Sequence, residues 1–337
     1  MTDRNPAARF VVVGTGAISQ VVHVPILAER DDVDLVAVSD RDQRKAEAIA
    51  RRFGVPQAVT PEEAIERQDL DAVVICTPNH THEELAIQAL ESGKHVYVER
   101  PVAISSGGVE RVLAAARSSG RRLVAGLPHR FRPEVAALRS FVASGDLGTV
   151  FTIRGSWLTR RVPVSRPTWR QRRALAGGGA LVDLGVPALD LCLWMVDYPP
   201  VERVRCVVTP GDFEVEDSAT VFAEADGLLF NVEVSTRYFA GHDRYHARVM
   251  GTEGSGSLPP LEVFRQVGGR PMNATPRQPR PRGGENPYTN AYRRQLDHFV
   301  RSVHGLGEAP LPHEQAILLR LIEAAYRSAD EGREVVL

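Results

Sequence analysis

The first residues whose types and spacing suggest chemistry form a glycine turn, Val11-Val12-Val13-Gly14-Thr15-Gly16-Ala17-Ile18-Ser19. An apolar, β-branched run leads into it and a helix-like pattern leads out. In such a turn the first glycine permits the tight bend and the second lets backbone approach a pyrophosphate. The helix start that follows offers N–H groups to negative charge. Ser19 stands where the usual G-x-G-x-x-G pattern has its third glycine, so the run alone also reads as an ordinary strand–helix turn. Asp40 ends the next strand-like run, at the distance expected of an acid that grips a ribose 2′-hydroxyl. Together these residues predict a dinucleotide site at Gly14, Thr15, Gly16, Ala17, Ile18 and Asp40. Asp40 favours NAD, whereas Arg41 beside it suits a 2′-phosphate, so NADP stays open.

Other candidates cluster at predicted strand ends, where open α/β sheets bind ligands. Thr77, Pro78 and Asn79 follow the run Ala72–Cys76, and His82 lies one turn into the next helix. Cofactor contact is expected of all four, against turn chemistry for the first three and a cap or core contact for His82. Arg130 follows the last strand of the first half. It reads either as a clamp on substrate oxygens or as an interdomain ion pair. His129 titrates near neutrality and is a candidate acid, with a surface histidine as the plainer reading. Trp169 is a candidate pocket wall or simple packing. Cys76 reads as a small apolar core residue. His242 and His246 lack carboxylate or cysteine partners, so no metal site is expected.

These residues must be held by a particular scaffold. Phe10–Val13, Leu35–Val38, Ala72–Cys76, His95–Val98 and Leu123–Ala125 read as buried strands. Helical patterns at 18–30, 41–53, 81–92 and 109–117 separate most of them. Pro25 is expected to disturb the first, and Thr60-Pro61-Glu62-Glu63 reads as a helix cap. This alternation predicts an α/β fold: an N-terminal Rossmann doubly wound parallel sheet, residues 1–127. From 128 to 337 strand-like runs at 149–154, 201–208, 218–224, 228–235 and 245–250 follow with few helices between. Asp226-Gly227 signals a hairpin. A C-terminal α+β domain with a large, mostly antiparallel open sheet is expected. Residues 268–287 hold five prolines and four arginines and read as a long exposed loop. Two helices close the chain, the first with Tyr292, Leu296, Phe299, Val300 and Val303 on one face.

Composition sets outer bounds. The 337 residues suit one large or two ordinary domains. A net charge of −1 gives no field for nucleic acid or an anionic membrane. No run of about 18 apolar residues suggests a membrane span. Three widely spaced cysteines exclude a disulfide scaffold and fit a cytoplasmic setting.

Beyond the glycine turn, Cys76-Thr-Pro-Asn79-His-Thr-His82, Glu99-Arg100-Pro101 and the stretch from Gly177 through Asp183 to Asp190 occur in order. With Arg130-Phe-Arg-Pro133, Thr168-Trp-Arg170, Val215-Glu-Asp217 and Met250-Gly-Thr-Glu-Gly254, they resemble the Gfo/Idh/MocA family from about residue 10 to 330. The resemblance implies hydride transfer between NAD(P) and a carbinol or carbonyl, usually of a sugar or cyclitol. It implies cofactor contacts from Glu99 and Arg100, a substrate site with Asp183, Arg130 and Trp169, and a homodimer or homotetramer built through the C-terminal sheet. Arg170, Arg172 and Arg173 near that site suggest an anionic substrate such as a nucleotide-linked sugar.

Two departures stand out. Relatives usually carry Glu-Lys-Pro where this chain has Glu99-Arg100-Pro101, and a histidine where it has Pro187. Arginine, with a pKa above about 12, is a poor acid or base, and proline has no side-chain proton. Only two of the 41 basic residues, Lys45 and Lys94, are lysine. Drift toward arginine therefore accounts for Arg100 but not for Pro187. Three readings remain. Proton transfer is rewired to another group, such as His129, Asp183, His82 or a tyrosine, and the catalytic candidates are Asp183 and His129 with Arg100, which holds charge; the reaction does not need the lost pair; or the protein binds a dinucleotide or sugar without turnover.

Overall fold

The computed structural model describes residues 6–277 and 286–337. The chain forms two compact units, Met1–Pro128 with Glu285–Ala316 and His129–Gly284 with Ile317–Leu337. The second boundary differs from a simple cut at residue 127: the helix Pro287–Val303 belongs with the first unit.

The first unit is built on six parallel strands: β1 (Ala8–Val13), β2 (Val33–Ser39), β3 (Gln57–Val59), β4 (Ala72–Ile75), β5 (His95–Glu99) and β6 (Leu123–Gly126). Their order is β3-β2-β1-β4-β5-β6, the doubly wound arrangement with its switch point beside β1. Phe10 to Val13 are fully buried because helices cover both faces. Local chemistry fixes the helix ends. Asp42 caps Gln43–Phe53 and Gly54 closes it in the left-handed conformation. Thr60 and Glu63 form a reciprocal capping box. Pro287–Val303 lays Tyr292, Leu296, Phe299 and Val300 into the cluster that holds Phe10 and Val12.

The second unit carries β7 (Val150–Arg160), β8 (Arg203–Pro210), β9 (Glu216–Ala225), β10 (Leu228–Tyr238), β11 (Arg244–Gly251), β12 (Gly254–Leu258), β13 (Glu262–Val267), β14 (Arg270–Asn273) and β15 (Val335–Val336). They form one sheet in the order β14-β13-β12-β11-β7-β10-β9-β8-β15. Among the described residues of this sheet only β7 and β10 pair in parallel. Asp226 and Gly227 both take positive φ in the two-residue turn joining β9 and β10, as a twisted hairpin requires. Part of the expected 268–287 loop is strand β14, which pairs with β13; residues 278–285 of it lie outside the described residues. The stretch Arg173–Trp194, helical on either side of the bend Gly177–Gly179, is long and apolar enough to cross a membrane by length and composition. It is mostly buried inside the unit, and its residues Leu181–Trp194 pack on β7 and β10. On the opposite sheet face Val207, Phe222 and Leu229 are exposed among Arg154, Arg203 and Arg205.

Candidate functional site

In the first unit the glycine turn sits at the carboxyl end of β1, between the ends of β2 and β4. The Gly14 amide donates to the Ser39 carbonyl at 2.7 Å, and the Cys76 amide donates to that of Val13 at 2.8 Å. Gly14 has φ of +94°, and a Cβ there would lie 2.7 Å from the Cys76 carbonyl oxygen. The fold itself requires this glycine. Gly16 differs: its φ is not positive, and a Cβ there would meet nothing within 4 Å. Nothing in the protein's own packing demands Gly16.

Ser19 replaces the third glycine without loss. It is buried, and its hydroxyl donates to the Gly14 carbonyl. The helix passes through a π-turn, Ser19–His23, and Ile18 before it makes no side-chain cap bond. Asp40 is tied to the glycine turn. Its Oδ2 accepts from the Thr15 amide at 2.9 Å, the Thr15 hydroxyl at 2.6 Å and the Lys45 ammonium at 3.2 Å. Its Oδ1 accepts from the Asp42 amide at 3.1 Å. Burial pushes its carboxyl up, but the Thr15 hydroxyl and amide, the Asp42 amide and the Lys45 charge outweigh this and hold it below the usual carboxylate range. Arg41 is exposed beside it.

At the end of β4, the Thr81 hydroxyl donates to the Thr77 hydroxyl at 2.7 Å and contacts the Pro78 carbonyl. Asn79 is buried. His82, expected at a cofactor, turns inward instead. Its ring lies 2.7 Å from the Pro101 carbonyl and 2.8 Å from the Thr77 carbonyl, so it joins the segments that carry Thr77 and Arg100. Burial lowers its pKa against the pull of those carbonyls. The Glu99 side chain is likewise drawn into the core, where its Oε1 lies 2.7 Å from Nε2 of fully buried His23. Burial alone would lower the His23 pKa; Cys76 and Glu99 beside it outweigh that and push it up to about 10. Tyr97 and Tyr292 pack edge-on against the His23 ring. The Tyr97 hydroxyl donates to Gln295 at 2.9 Å, and Gln295 donates to the Ala125 carbonyl at 2.7 Å. Arg100 follows at the end of β5, half-buried. Sequence reasoning missed His23, Lys45, Tyr97, Tyr292 and Gln295. The one available signal was a lone histidine within the apolar run Val21-Val22-His23-Val24.

The second unit places its candidates as follows. Arg130 is committed to buried Asp190: Nε donates to Oδ2 at 2.8 Å and a second nitrogen to Oδ1. The Tyr198 hydroxyl also donates to Asp190. This ion pair lies within one unit and occupies the guanidinium expected to clamp substrate. His129 is a buried ring rather than a surface one, packed against Trp157 and Tyr245 with centroids 4.7 and 5.6 Å away. Asp183 is half-buried in the π-turn Leu181–Gly185. Trp169 lies in a turn closed by a Thr168–Gln171 capping box, with Arg170 over its ring at 4.3 Å. Pro187 occupies the start of the helix Val186–Trp194. Glu216, which the sequence reading left unassigned, closes the helix start before it. Its carboxylate accepts from the Gly179 amide at 3.0 Å, the Leu181 amide at 2.9 Å and the Tyr326 hydroxyl at 2.8 Å.

Comparison with known proteins agrees with this architecture. Residues 8–127 match the oxidoreductase family Gfo/Idh/MocA, NAD-binding Rossmann fold. Residues 135–257 match the C-terminal domain of the same family. The chain is 27% identical to D-glucoside 3-dehydrogenase of Escherichia coli (strain K12), over 98% of this chain and 97% of that one. It is 31% identical to a putative UDP-kanosamine synthase oxidoreductase subunit of Amycolatopsis mediterranei (strain S699), over 74% and 73% of the two chains. Among solved structures, that of GenD2 from gentamicin A biosynthesis in complex with NAD superposes with a TM-score of 0.85 at 30% identity, over 99% and 97% of the chains. The glycine turn at the switch point of a six-stranded parallel sheet and the large open sheet of the second unit thus accompany matches in both halves. The chain belongs to the Gfo/Idh/MocA family of NAD(P)-dependent oxidoreductases.

Proposed function

We propose that this protein oxidises or reduces a hydroxyl or carbonyl carbon of a sugar, a cyclitol or a nucleotide-linked sugar, with NAD(P) as coenzyme. One observation carries the coenzyme assignment. Gly16 is a glycine that the protein's own packing does not need, placed at a helix start and next to Thr15, whose amide and hydroxyl donate to Asp40. A bound pyrophosphate supplies the missing reason, because any side chain there would fill its path. The backbone from Gly14 to Ile18 holds the diphosphate, Asp40 takes the adenosine ribose and favours NAD, and Thr77, Pro78, Asn79 and Arg100 line the route to the nicotinamide. Glu99 and His82 act from behind, by fixing the segments that carry those residues.

When bound, the nicotinamide supplies or accepts the hydride. The chain's own residues must orient substrate and move a proton. Arg100 offers fixed charge and paired donors, which suit it to orienting oxygens and not to proton exchange. Pro187 has no proton to give. Asp183 is the ionisable group we assign to exchange with the substrate hydroxyl. His129 we assign to packing, given its aromatic surroundings, and Trp169 with Arg170 to the substrate wall. Relatives named for D-glucoside oxidation and for UDP-kanosamine synthesis support the sugar class. The absence of the usual lysine–histidine pair favours a second reading, a redox-neutral or non-catalytic protein that keeps its coenzyme. The exposed Val207, Phe222 and Leu229 support a homodimer or homotetramer through this sheet face, and three free, buried cysteines suit a reducing compartment such as the cytoplasm.

The test is calorimetry with NAD, NADH, NADP and NADPH at millimolar concentration, then absorbance of the reduced nicotinamide with a panel of sugars, ketosugars and cyclitols. Heat with at least one coenzyme and turnover of a sugar are expected. No heat from any of the four sinks the coenzyme assignment. Retained coenzyme without turnover moves the conclusion to the second reading.

A further inference from the structure

From Arg160 to Val182 the chain carries six arginines and no acidic residue. Arg160 and Arg161 are compensated from other segments, by Asp243 at 3.7 Å and Asp212 at 3.4 Å. Arg166, Arg170, Arg172 and Arg173 are exposed, and among the described residues no carboxylate pairs with their guanidinium groups. Glu214 reaches this segment, but its carboxylate accepts from the Arg173 backbone amide at 3.0 Å. Four like charges within eight residues repel one another, and the chain itself offsets little of that repulsion.

Two of the four are held in place. The Arg170 guanidinium lies 4.3 Å from the centre of the Trp169 ring, in the turn that the Thr168–Gln171 capping box closes. That of Arg173 lies 5.0 Å from the centre of the Tyr326 ring. Tyr326 is itself fixed: its hydroxyl donates to Glu216, and Glu216 holds the Gly179 and Leu181 amides just ahead of Asp183. Stacking covers the face of a guanidinium and leaves its N–H edge free. Both side chains have already given up part of their rotamer freedom, so an anion that binds their edges has less to order. Such forks match carboxylate or phosphate oxygens. One carboxylate fills one fork. A phosphate ester, with about three acceptor oxygens and a charge of about −1.5 to −2, serves two, and these two arginines stand on consecutive turns of the chain.

We propose that Arg170 and Arg173 form a binding site for a phosphate carried by the substrate, which is therefore a phosphorylated sugar: a sugar phosphate, or a sugar joined to a nucleotide through a diphosphate. Arg166 and Arg172 add to the positive field around it. This rests on the sugar oxidoreductase reading above, with Asp183 at the substrate, and narrows it by making neutral glycosides and cyclitols poor ligands.

The experiment saturates the protein with NADH or NADPH, whichever binds, and titrates it calorimetrically with glucose, glucose 1-phosphate and UDP-glucose. Wild type, Arg170→Gln, Arg173→Gln and the double variant are compared. At least one phosphorylated ligand is expected to bind about tenfold or more tightly than glucose. Each single substitution should weaken that ligand by about tenfold, with coenzyme affinity changed by less than about threefold. Raising salt from about 0.05 to about 0.5 M should weaken the phosphorylated ligand and leave glucose unaffected. Tighter binding of glucose 1-phosphate identifies a sugar phosphate, and tighter binding of UDP-glucose a nucleotide-linked sugar. Glucose bound as tightly as both phosphorylated ligands overturns the proposal, as does an unchanged affinity in the double variant, and either result leaves the coenzyme and sugar assignments standing. A protein that binds coenzyme but none of the three ligands overturns it as well. Absence of coenzyme binding sinks the coenzyme assignment by itself, and the same titrations on the free protein then decide the role of the arginines.

Discussion

Two helix starts in this chain share a local grammar and differ in how they are completed. Each follows a glycine run, Gly14-Thr15-Gly16 in the first unit and Gly177-Gly178-Gly179 in the second. Each passes through a π-turn, Ser19–His23 and Leu181–Gly185, and each has a proline two residues beyond it, Pro25 and Pro187. The cause is common to both. Proline lacks an N–H and its ring presses on the carbonyl four residues earlier, Val21 or Asp183, and a widened turn relieves both.

The glycines then serve opposite ends. A Cβ at Gly178 would run into the Tyr326 hydroxyl, and one at Gly179 into the Glu216 carbonyl. The amides of that helix start are taken by the Glu216 carboxylate, so the protein closes it from within. At Gly16 a Cβ would meet no protein atom within 4 Å. The difference separates a glycine kept for folding from one kept for a molecule that arrives from outside.

The comparison breaks most easily at the closed start. Gly179→Ala sets a methyl group against backbone, which cannot swing away, and should cost about 3 kcal/mol or more of stability by denaturant unfolding. A loss below about 1 kcal/mol would show that the closed start is loosely packed after all. At the open start the effect should fall on binding instead. Gly16→Val is expected to weaken the bound coenzyme about a hundredfold while changing stability by less than about 0.5 kcal/mol. Unchanged affinity by calorimetry would remove the distinction between the two helices.

A third, smaller test compares the buried ion pairs of the units. His23–Glu99 titrates, whereas Arg130–Asp190 has a cation that stays charged. The His23 pKa in the folded protein, about 10, lies above the ordinary value of 6.5. Its contribution is therefore full below about 6.5 and is lost as pH rises through about 10, with a slope of at most about 1.4 kcal/mol per pH unit. Hydrogen exchange across that range should show the first unit loosening before the second. A slope unaltered in His23→Gln would assign the effect to other groups.

Much of the scaffold was legible because its causes are local. The capping box at Thr60 and Glu63, the Gly54 helix end and the Asp226-Gly227 turn each depend on neighbours within a few residues. Strand β12, Gly-Ser-Gly-Ser-Leu, was not legible, since small residues carry little strand preference and only pairing with β11 and β13 makes it one. Residues named as site candidates divided in the same way. Gly14, Thr15 and Asp40 lie together as their spacing implied, while Glu99, His82 and Arg130 turned to partners inside the protein.

The sequence by itself determined where strands, caps and tight turns fall, because backbone preference and short-range hydrogen bonds act within a turn or two of chain. Tertiary structure alone decided that Glu216 seals one helix start across 37 residues, that His23 captures Glu99 across 76, and that Pro287–Val303 returns to the first core. A buried charge or an apolar face must find a partner to offset desolvation, and which distant residue supplies it is set by packing in three dimensions.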